Sequence, residues 1–146
     1  SGKEKIDMET VMVFGTFDIV HLGHIALFHE AKKYGTDLVV VVARDKRARG
    51  IKGKDPVFGE KERVAFLQEL SVIDRVVLGD KSDVYKVIKN IKQDTIVLGY
   101  DQKMFTKELE NKIKEFGFDT QIIRVKAYKS DKYKTGVIKE KLLTQV

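Results

Sequence analysis

Cysteine is absent from this 146-residue sequence, proline occurs once, and no apolar run approaches the roughly 20 residues that a membrane-spanning helix needs. Without cysteine the chain forms no disulfide, no thiolate metal site and no cysteine nucleophile, as is typical of proteins in a reducing compartment. The residues from Ser1 to Lys5 also lack the apolar core of a signal peptide, and Ser1 and Gly2 are expected to be the remnant of a cleaved tag. We therefore expect a cytoplasmic protein without a membrane partner.

Several phosphate-binding and nucleic-acid-binding signatures are missing as well. Neither G-x-G-x-x-G nor G-x-x-x-x-G-K-[ST] occurs, so the standard dinucleotide fingerprint and the P-loop are excluded. The formal charge of +6 favours polyanionic partners, and a basic nucleic-acid-binding module with salt-sensitive affinity is one alternative. No RRM, KH or zinc-knuckle pattern supports it, so we expect no nucleic-acid partner.

The composition is that of one globular domain. Hydrophobic residues make up 42% of the chain and charged residues 34%, and a chain of this length buries a core without disulfides. No repeat or linker interrupts the pattern, and the single proline, Pro56, lies in a predicted loop. We predict a polar tail over residues 1–10 and one domain over residues 11–146.

Hydrophobic periodicity predicts alternating strands and helices. The predicted strands are residues 11–14, 38–43, 75–78, 95–98 and 121–125, and the predicted helices are residues 22–34, 60–70, 84–91, 105–116 and 135–143. This alternation predicts an α/β fold, a Rossmann-like, doubly wound five-stranded parallel sheet. Ligands of such folds bind beyond the carboxyl ends of the strands, so we expect the site just after Phe14, Ala43 and Leu98.

Two histidines follow the first predicted strand. His21 and His24 are three residues apart at the start of a predicted helix, and this spacing places both imidazoles on one helix face. The free N–H groups of a helix N-terminus, the small Gly23 and two imidazole donors together predict a phosphate-binding site. The alternatives are a surface histidine pair or a zinc site, but zinc needs a third ligand and His29 is five residues further on.

At these residues the sequence resembles the cytidylyltransferase-like nucleotidyltransferases, which share G-T-F-D followed by H-x-G-H. The resemblance implies that both histidines stabilise the transition state at the α-phosphorus, and that Asp18 orients the loop and the acceptor substrate, although a turn or cap aspartate is the alternative. It implies a nucleotide-binding set at the start of the chain: Gly15, Thr16, Phe17, His21, Leu22, Gly23 and His24.

Basic residues are concentrated after the second predicted strand, and a loop there is expected to close over a triphosphate: Arg44, Lys46, Arg47, Arg49, Lys52 and Lys54. The resemblance implies that one lysine reaches the phosphates; we select Lys52, with Lys54 as the alternative. Glu62-Arg63 resembles the family's E-R pair, in which the arginine contacts the loop or the phosphate of the acceptor, and a solvent-facing ion pair is the alternative.

The segment after the fourth predicted strand is L-G-Y-D-Q, in which Asp101 is a candidate for a hydrogen bond to ribose or base. This motif and V-A-R-D after the second strand resemble archaeal FAD synthases. That resemblance implies that Tyr128 lies near adenine and that Thr135 binds phosphate at a helix N-terminus. Lys134 and Gly136 stand where many relatives have hydroxyl residues, and we expect Lys134 to compensate through its charge.

The resemblance implies an adenylyltransferase in which FMN attacks ATP to give FAD and pyrophosphate. The alternative is a glycerol-3-phosphate cytidylyltransferase that uses CTP, and a catalytically silent nucleotide sensor is a further possibility. Phosphate monoesters are ionised near neutral pH, so direct in-line displacement needs no general base. A divalent ion, Mg²⁺ by default, is expected to bridge the triphosphate, and the sequence does not identify its protein ligands. The resemblance also implies a homodimer.

Overall fold

A computed structural model describes residues 8–100, 102, 106–126, 138, 139 and 141. The described strands are β1 (Thr10–Gly15), β2 (Asp37–Val42), β3 (Arg75–Leu78), β4 (Thr95–Leu98) and β5 (Gln121–Arg124). They form one sheet in the order β3-β2-β1-β4-β5, and every neighbouring pair is parallel. The predicted doubly wound, five-stranded parallel sheet is confirmed.

Helices cover both faces of this sheet. Helices α1 (Leu22–Lys32) and α3 (Glu60–Gln68) pack on one face, and α4 (Lys86–Ile91) and α5 (Thr106–Glu115) pack on the other. Alternate residues of β2 enter the two cores, and all of its residues are buried. The uninterrupted valine run that predicted a doubly covered strand therefore has the burial expected of a parallel sheet.

The segment after β2 differs from the prediction. The basic stretch was expected to form a loop, but its first part is α2 (Asp45–Lys52), which ends at Gly53 in the left-handed conformation with φ of 77°. Lysine, arginine and alanine have high helix propensity, and glycine adopts a positive φ at little cost, so this helix and its end are locally encoded. Only residues 53–59 form the loop that leads into α3.

The register of the sheet aligns the strand ends. Gly15 pairs with Val42, Val42 pairs with Leu78, and Val13 of β1 pairs with Val97 of β4. The segments that follow β1, β2 and β4 therefore emerge at one edge, as the topology predicted. Of the predicted last helix, residues 138, 139 and 141 are described and are helical.

Candidate active site

A cavity of about 390 Å³ lies at this edge of the sheet. Residues after β1, β2 and β4 line it together with α2, α4 and α5. Six residues of the predicted site contribute to its wall: Gly15, Thr16, Phe17, Asp18, His24 and Lys52. The location predicted from the sheet topology is therefore the location of the cavity.

The two histidines form a reciprocal cap on α1. His21 is the N-cap residue, and its Nδ1 accepts a hydrogen bond from the N–H of Gly23 at 3.1 Å. The Nδ1 of His24 accepts from the N–H of His21 at 3.3 Å, and the two rings stack with centroids 3.9 Å apart. The spacing of three is that of a capping box, with imidazoles in the place of the usual hydroxyl and carboxylate.

This cap assigns the imidazole tautomers. Because both Nδ1 atoms accept backbone N–H groups, the proton of each neutral ring is on Nε2. Burial, followed by the nearby charges of His21 and Lys52, lowers the pKa of His24 from 6.5 to about 3, and burial lowers the pKa of His21. At neutral pH His24 is thus a neutral ring with an Nε2–H donor, and it lines the cavity.

Phe17 holds His24 from the side. Its backbone adopts φ of 55°, which is uncommon for a bulky residue, and its side chain is buried. The ring lies edge-on to His24 with centroids 5.3 Å apart, and a Cβ on Gly15 would approach the ring to 2.6 Å. Gly15 therefore leaves the space for Phe17, and Phe17 supports the catalytic candidate His24.

Asp18 joins three segments. Its carboxylate accepts the N–H groups of Val57 and Phe58 at 2.8 and 2.9 Å and the Nζ of Lys139 at 2.8 Å. Burial alone would raise the pKa of Asp18, but the hydrogen bonds from Lys139, Phe58 and Val57 lower it below 3.8. The carboxylate stays ionised at neutral pH and contacts the backbone of the 53–59 loop directly. The predicted contact of Asp18 with the acceptor substrate stays a prediction.

Arg63 is buried and engaged entirely by protein groups. Its side-chain exposure is 0%, which excludes the alternative of a solvent-facing ion pair. Its guanidinium donates to three backbone carbonyls and one carboxylate: Phe58 O at 2.9 Å, Thr16 O and Ala43 O at 2.8 Å each, and Asp45 Oδ1 at 2.7 Å. In this structure Arg63 contacts the loops, which is one of the two roles that the resemblance implied.

The basic residues of the segment after β2, which was predicted to be a loop, have different surroundings. Arg44 donates to Gly79 O at 2.8 Å and to Glu60 at 3.0 Å, so it braces the strand ends. Lys52 and Lys54 both line the cavity, but only Lys52 contributes to the lowered pKa of His24. Lys52 is therefore the lysine whose charge affects the pKa of His24.

Gln102 was missed as an individual residue, although the L-G-Y-D-Q motif contains it. Its Oε1 accepts the N–H of Gly99 at 2.7 Å and its Nε2 donates to Phe14 O at 2.8 Å, so the side chain bridges the ends of β4 and β1. Arg124 in turn donates to Gly99 O and Gln102 O at 2.9 and 2.6 Å. The position of Gln102 within the L-G-Y-D-Q motif was the one signal by which the sequence could have identified it. Its contact with Phe14 could not be predicted because the two residues are 88 positions apart.

Other predicted residues lie outside the cavity wall or outside the described residues. Leu22 is 52% exposed at the start of α1. Asp101, Tyr128 and Thr135 lie outside the described residues, as do Lys134 and Gly136.

Among the residues described, no group of three or more histidine, aspartate or glutamate side chains is placed to hold a metal ion. Within the same residues, no helix has both the length and the apolar character needed to cross a membrane.

The fold and the histidine cap define a known class of protein. The family profile of the cytidylyltransferase-like proteins matches residues 12–141. The chain belongs to the cytidylyltransferase-like family, as the G-T-F-D and H-x-G-H motifs predicted, and the predicted nucleotidyltransferase class is confirmed.

Similar proteins with more than 40% sequence identity have more specific names than the family. A curated protein of Thermoplasma volcanium named FAD synthase is 44% identical over 136 residues, which cover 93% of this chain and 95% of the relative. The FAD synthase of Archaeoglobus profundus is 42% identical over 134 residues, 90% of this chain and 85% of its own. A crystal structure described as a lipopolysaccharide core biosynthesis protein from Thermoplasma volcanium GSS1 has a TM-score of 0.79 and 48% identity, covering 84% of this chain and 99% of that one.

Proposed function

We propose that this protein is an FAD synthase that transfers AMP from ATP to the phosphate of FMN and releases pyrophosphate. The observation that carries this proposal is the neutral His24 at the N-terminus of α1, whose side chain lines the cavity at the carboxyl edge of the sheet. The names of the similar archaeal proteins support the choice of acceptor and agree with the subgroup predicted from L-G-Y-D-Q.

In the proposed reaction, an ionised phosphate oxygen of FMN attacks the α-phosphorus of ATP. The new P–O bond forms as the bond to the pyrophosphate oxygen breaks, and no proton has to be removed from the nucleophile. The Nε2–H groups of His21 and His24 donate to the non-bridging oxygens, where negative charge develops. Lys52 lines the same cavity and its charge contributes to the lowered pKa of His24, which supports our proposal that it stabilises the departing pyrophosphate.

A divalent ion, Mg²⁺ by default, enters with the triphosphate in this proposal. Mg²⁺ keeps several waters and binds through substrate phosphates with one or two protein carboxylates. Asp18 is a poor ligand because its oxygens already accept three donors, so phosphate oxygens would supply most of the coordination. The bound ion would neutralise charge on the triphosphate. Activity is expected to disappear with excess EDTA and to return when Mg²⁺ is added.

The nucleotide-binding roles predicted for Asp101, Tyr128 and Thr135 remain part of this proposal.

We also propose that the protein acts as a homodimer in the cytoplasm, without a nucleic-acid or membrane partner. Three exposed apolar side chains near α3 support a self-contact: Val57, Phe58 and Phe66, which are 60, 43 and 54% exposed. Light scattering over a range of protein concentrations tests the dimer.

The test of the reaction is pyrophosphate release with Mg²⁺, crossing ATP and CTP against FMN and glycerol-3-phosphate. The proposal expects release with ATP plus FMN, together with FAD identified by chromatography. Release only with CTP plus glycerol-3-phosphate would replace it with the cytidylyltransferase. Nucleotide binding without pyrophosphate from any pair would indicate a sensor.

A further inference from the structure

One side of the cavity is apolar and was not identified from the sequence. We call it the apolar lobe and define it by six cavity-lining residues: Val41, Ile51, Val84, Tyr85, Ile88 and Leu109. Four of them belong to the core on the α4 and α5 face of the sheet, and Val84 packs against that core. Phe17, which supports His24, belongs to the core on the opposite face. The lobe and the histidine cap are therefore at different sides of one cavity.

We propose that the apolar lobe binds the isoalloxazine ring of the acceptor, while the phosphate of that acceptor extends toward His24. This inference rests on the proposed FAD synthase function and assigns a subsite within it. The ribityl chain of FMN separates the ring from the phosphate, which suits a cavity with an apolar side and a side that carries histidine and lysine.

The chemistry of the lobe discriminates between the two ring systems of the reaction. Adenine has nitrogen donors or acceptors around most of its edge, and burying these without partners is costly. The isoalloxazine ring has a dimethylbenzene end that needs no hydrogen bonds. Five of the six lobe side chains are aliphatic, and the sixth is the ring of Tyr85, which is 6% exposed. The lobe therefore favours the flavin over the adenine.

The polar end of the flavin also has neighbours of suitable chemistry. Arg47 and Asp80 line the same cavity, and the charge of Arg47 is close enough to Tyr85 to influence its pKa. Asp80 Oδ2 accepts the N–H groups of Asp83 and Ser82, both at 3.0 Å, and the Ser82 hydroxyl at 3.2 Å. The bonds from Asp83 and Ser82 lower the pKa of Asp80, so it is a fixed anion, and its other oxygen, Oδ1, is 3.9 Å from Lys86 Nζ. A guanidinium and a carboxylate match the carbonyls and the N–H of the pyrimidine edge of the flavin.

The first test fills the lobe. In Val84→Trp, an indole added to the half-buried wall of the cavity is expected to raise the KM for FMN by about tenfold or more while changing the KM for ATP less than about twofold. Flavin fluorescence titration without ATP measures the same loss of FMN binding independently of turnover. Met8→Trp adds the same ring at a 69% exposed position before β1 and is expected to change neither constant.

A second variant covers the case in which Val84→Trp does not fold. Ile51 is 47% exposed, so Ile51→Asp places a charge at the lobe with little cost to the core, and it is expected to weaken FMN binding by a similar factor. Thermal unfolding of each variant verifies folding. An unchanged KM for FMN in a folded variant, or an increased KM for ATP alone, would overturn the lobe assignment while leaving FAD synthesis in place. Failure of the wild-type protein to make FAD would instead overturn the proposed function.

Discussion

At the residue scale, His24 combines two tasks that a single substitution would remove together. Its Nδ1 completes the cap on α1, and its Nε2–H is the donor that the proposed mechanism directs at phosphate oxygens. A substitution that keeps one of these tasks can separate them. Asparagine offers an oxygen near the position of Nδ1 but has no group in the place of Nε2–H.

We predict that His24→Ala and His24→Asn both lower kcat by about a hundredfold or more, because each removes a transition-state donor. His24→Ala is expected to lose about 1 kcal/mol of stability through the cap, and His24→Asn less. Steady-state kinetics and urea unfolding measure the two effects. Turnover close to wild type in folded His24→Asn would refute the donor role.

The lowered pKa of His24 also predicts an acid dependence of stability. The unfolded chain binds this proton near pH 6.5, but the folded chain does so only near pH 3. Between these values the unfolded state holds more protons, so the free energy of unfolding falls as the pH falls from 6.5. One such group contributes a slope of at most about 1.4 kcal/mol per pH unit.

His24→Gln is therefore expected to show a shallower loss of stability between pH 6.5 and 4.5 than the wild type. Urea unfolding at pH 7, 6, 5 and 4.5 gives the slope for each protein. His29→Gln is the matched control, since His29 is an exposed residue of the same helix. Equal slopes for wild type and His24→Gln would show that His24 is not neutral in the folded state at mildly acidic pH.

At the element scale, the 53–59 loop is held by side-chain contacts to its backbone. Asp18 accepts two consecutive N–H groups of this loop and the ammonium of Lys139, which is 121 residues away in sequence. The carboxylate pKa is lowered, so this link is present above the unfolded value of 3.8 and is lost only as the pH falls through the lower folded value.

We predict that Asp18→Asn increases amide hydrogen exchange at Val57 and Phe58 by about tenfold, since one acceptor and the charge are lost. Asp55→Asn, an exposed carboxylate of the same loop, is the matched control and should leave both amides unchanged. Mass-spectrometric exchange at neutral pH is the measurement. Unchanged protection in Asp18→Asn would mean that other contacts hold the loop.

At the scale of the whole molecule, one buried guanidinium joins the loops at the carboxyl edge of the sheet. Arg63 connects the segments after β1 and β2 with the loop before α3. Removing it would leave three carbonyls without this donor and Asp45 without its partner. The expected cost is that of breaking a buried network rather than of losing a surface charge.

Arg63→Met is predicted to lower the free energy of unfolding by about 3 kcal/mol or more. Arg49→Met is the matched control, because Arg49 is 68% exposed in its side chain and is 3.7 Å from Asp55. That change should cost less than about 1 kcal/mol. Chemical denaturation of both variants gives the comparison, and similar small losses in the two would contradict a bracing role for Arg63.

The sequence by itself determined the five strands, the helices α1, α3, α4 and α5, the sheet class and the edge of the sheet at which the cavity lies. Strands and helices follow from hydrophobic periodicity, and the histidine pair acts within a single turn, so local spacing was sufficient to identify both. Helix α2 was the main error: its charged residues suggested a loop, although their helix propensity and Gly53 pointed to a helix that ends there.

Only the tertiary structure decided which distant groups meet in the site. The bridge from Gln102 to Phe14 spans 88 residues, and the contacts of Arg63 and Lys139 likewise join separate segments. The apolar lobe is likewise assembled from β2, α2, α5 and the segment around α4. Composition and spacing fix local conformation, whereas the partner of a buried arginine, glutamine or aspartate depends on how the packed elements place their ends relative to one another.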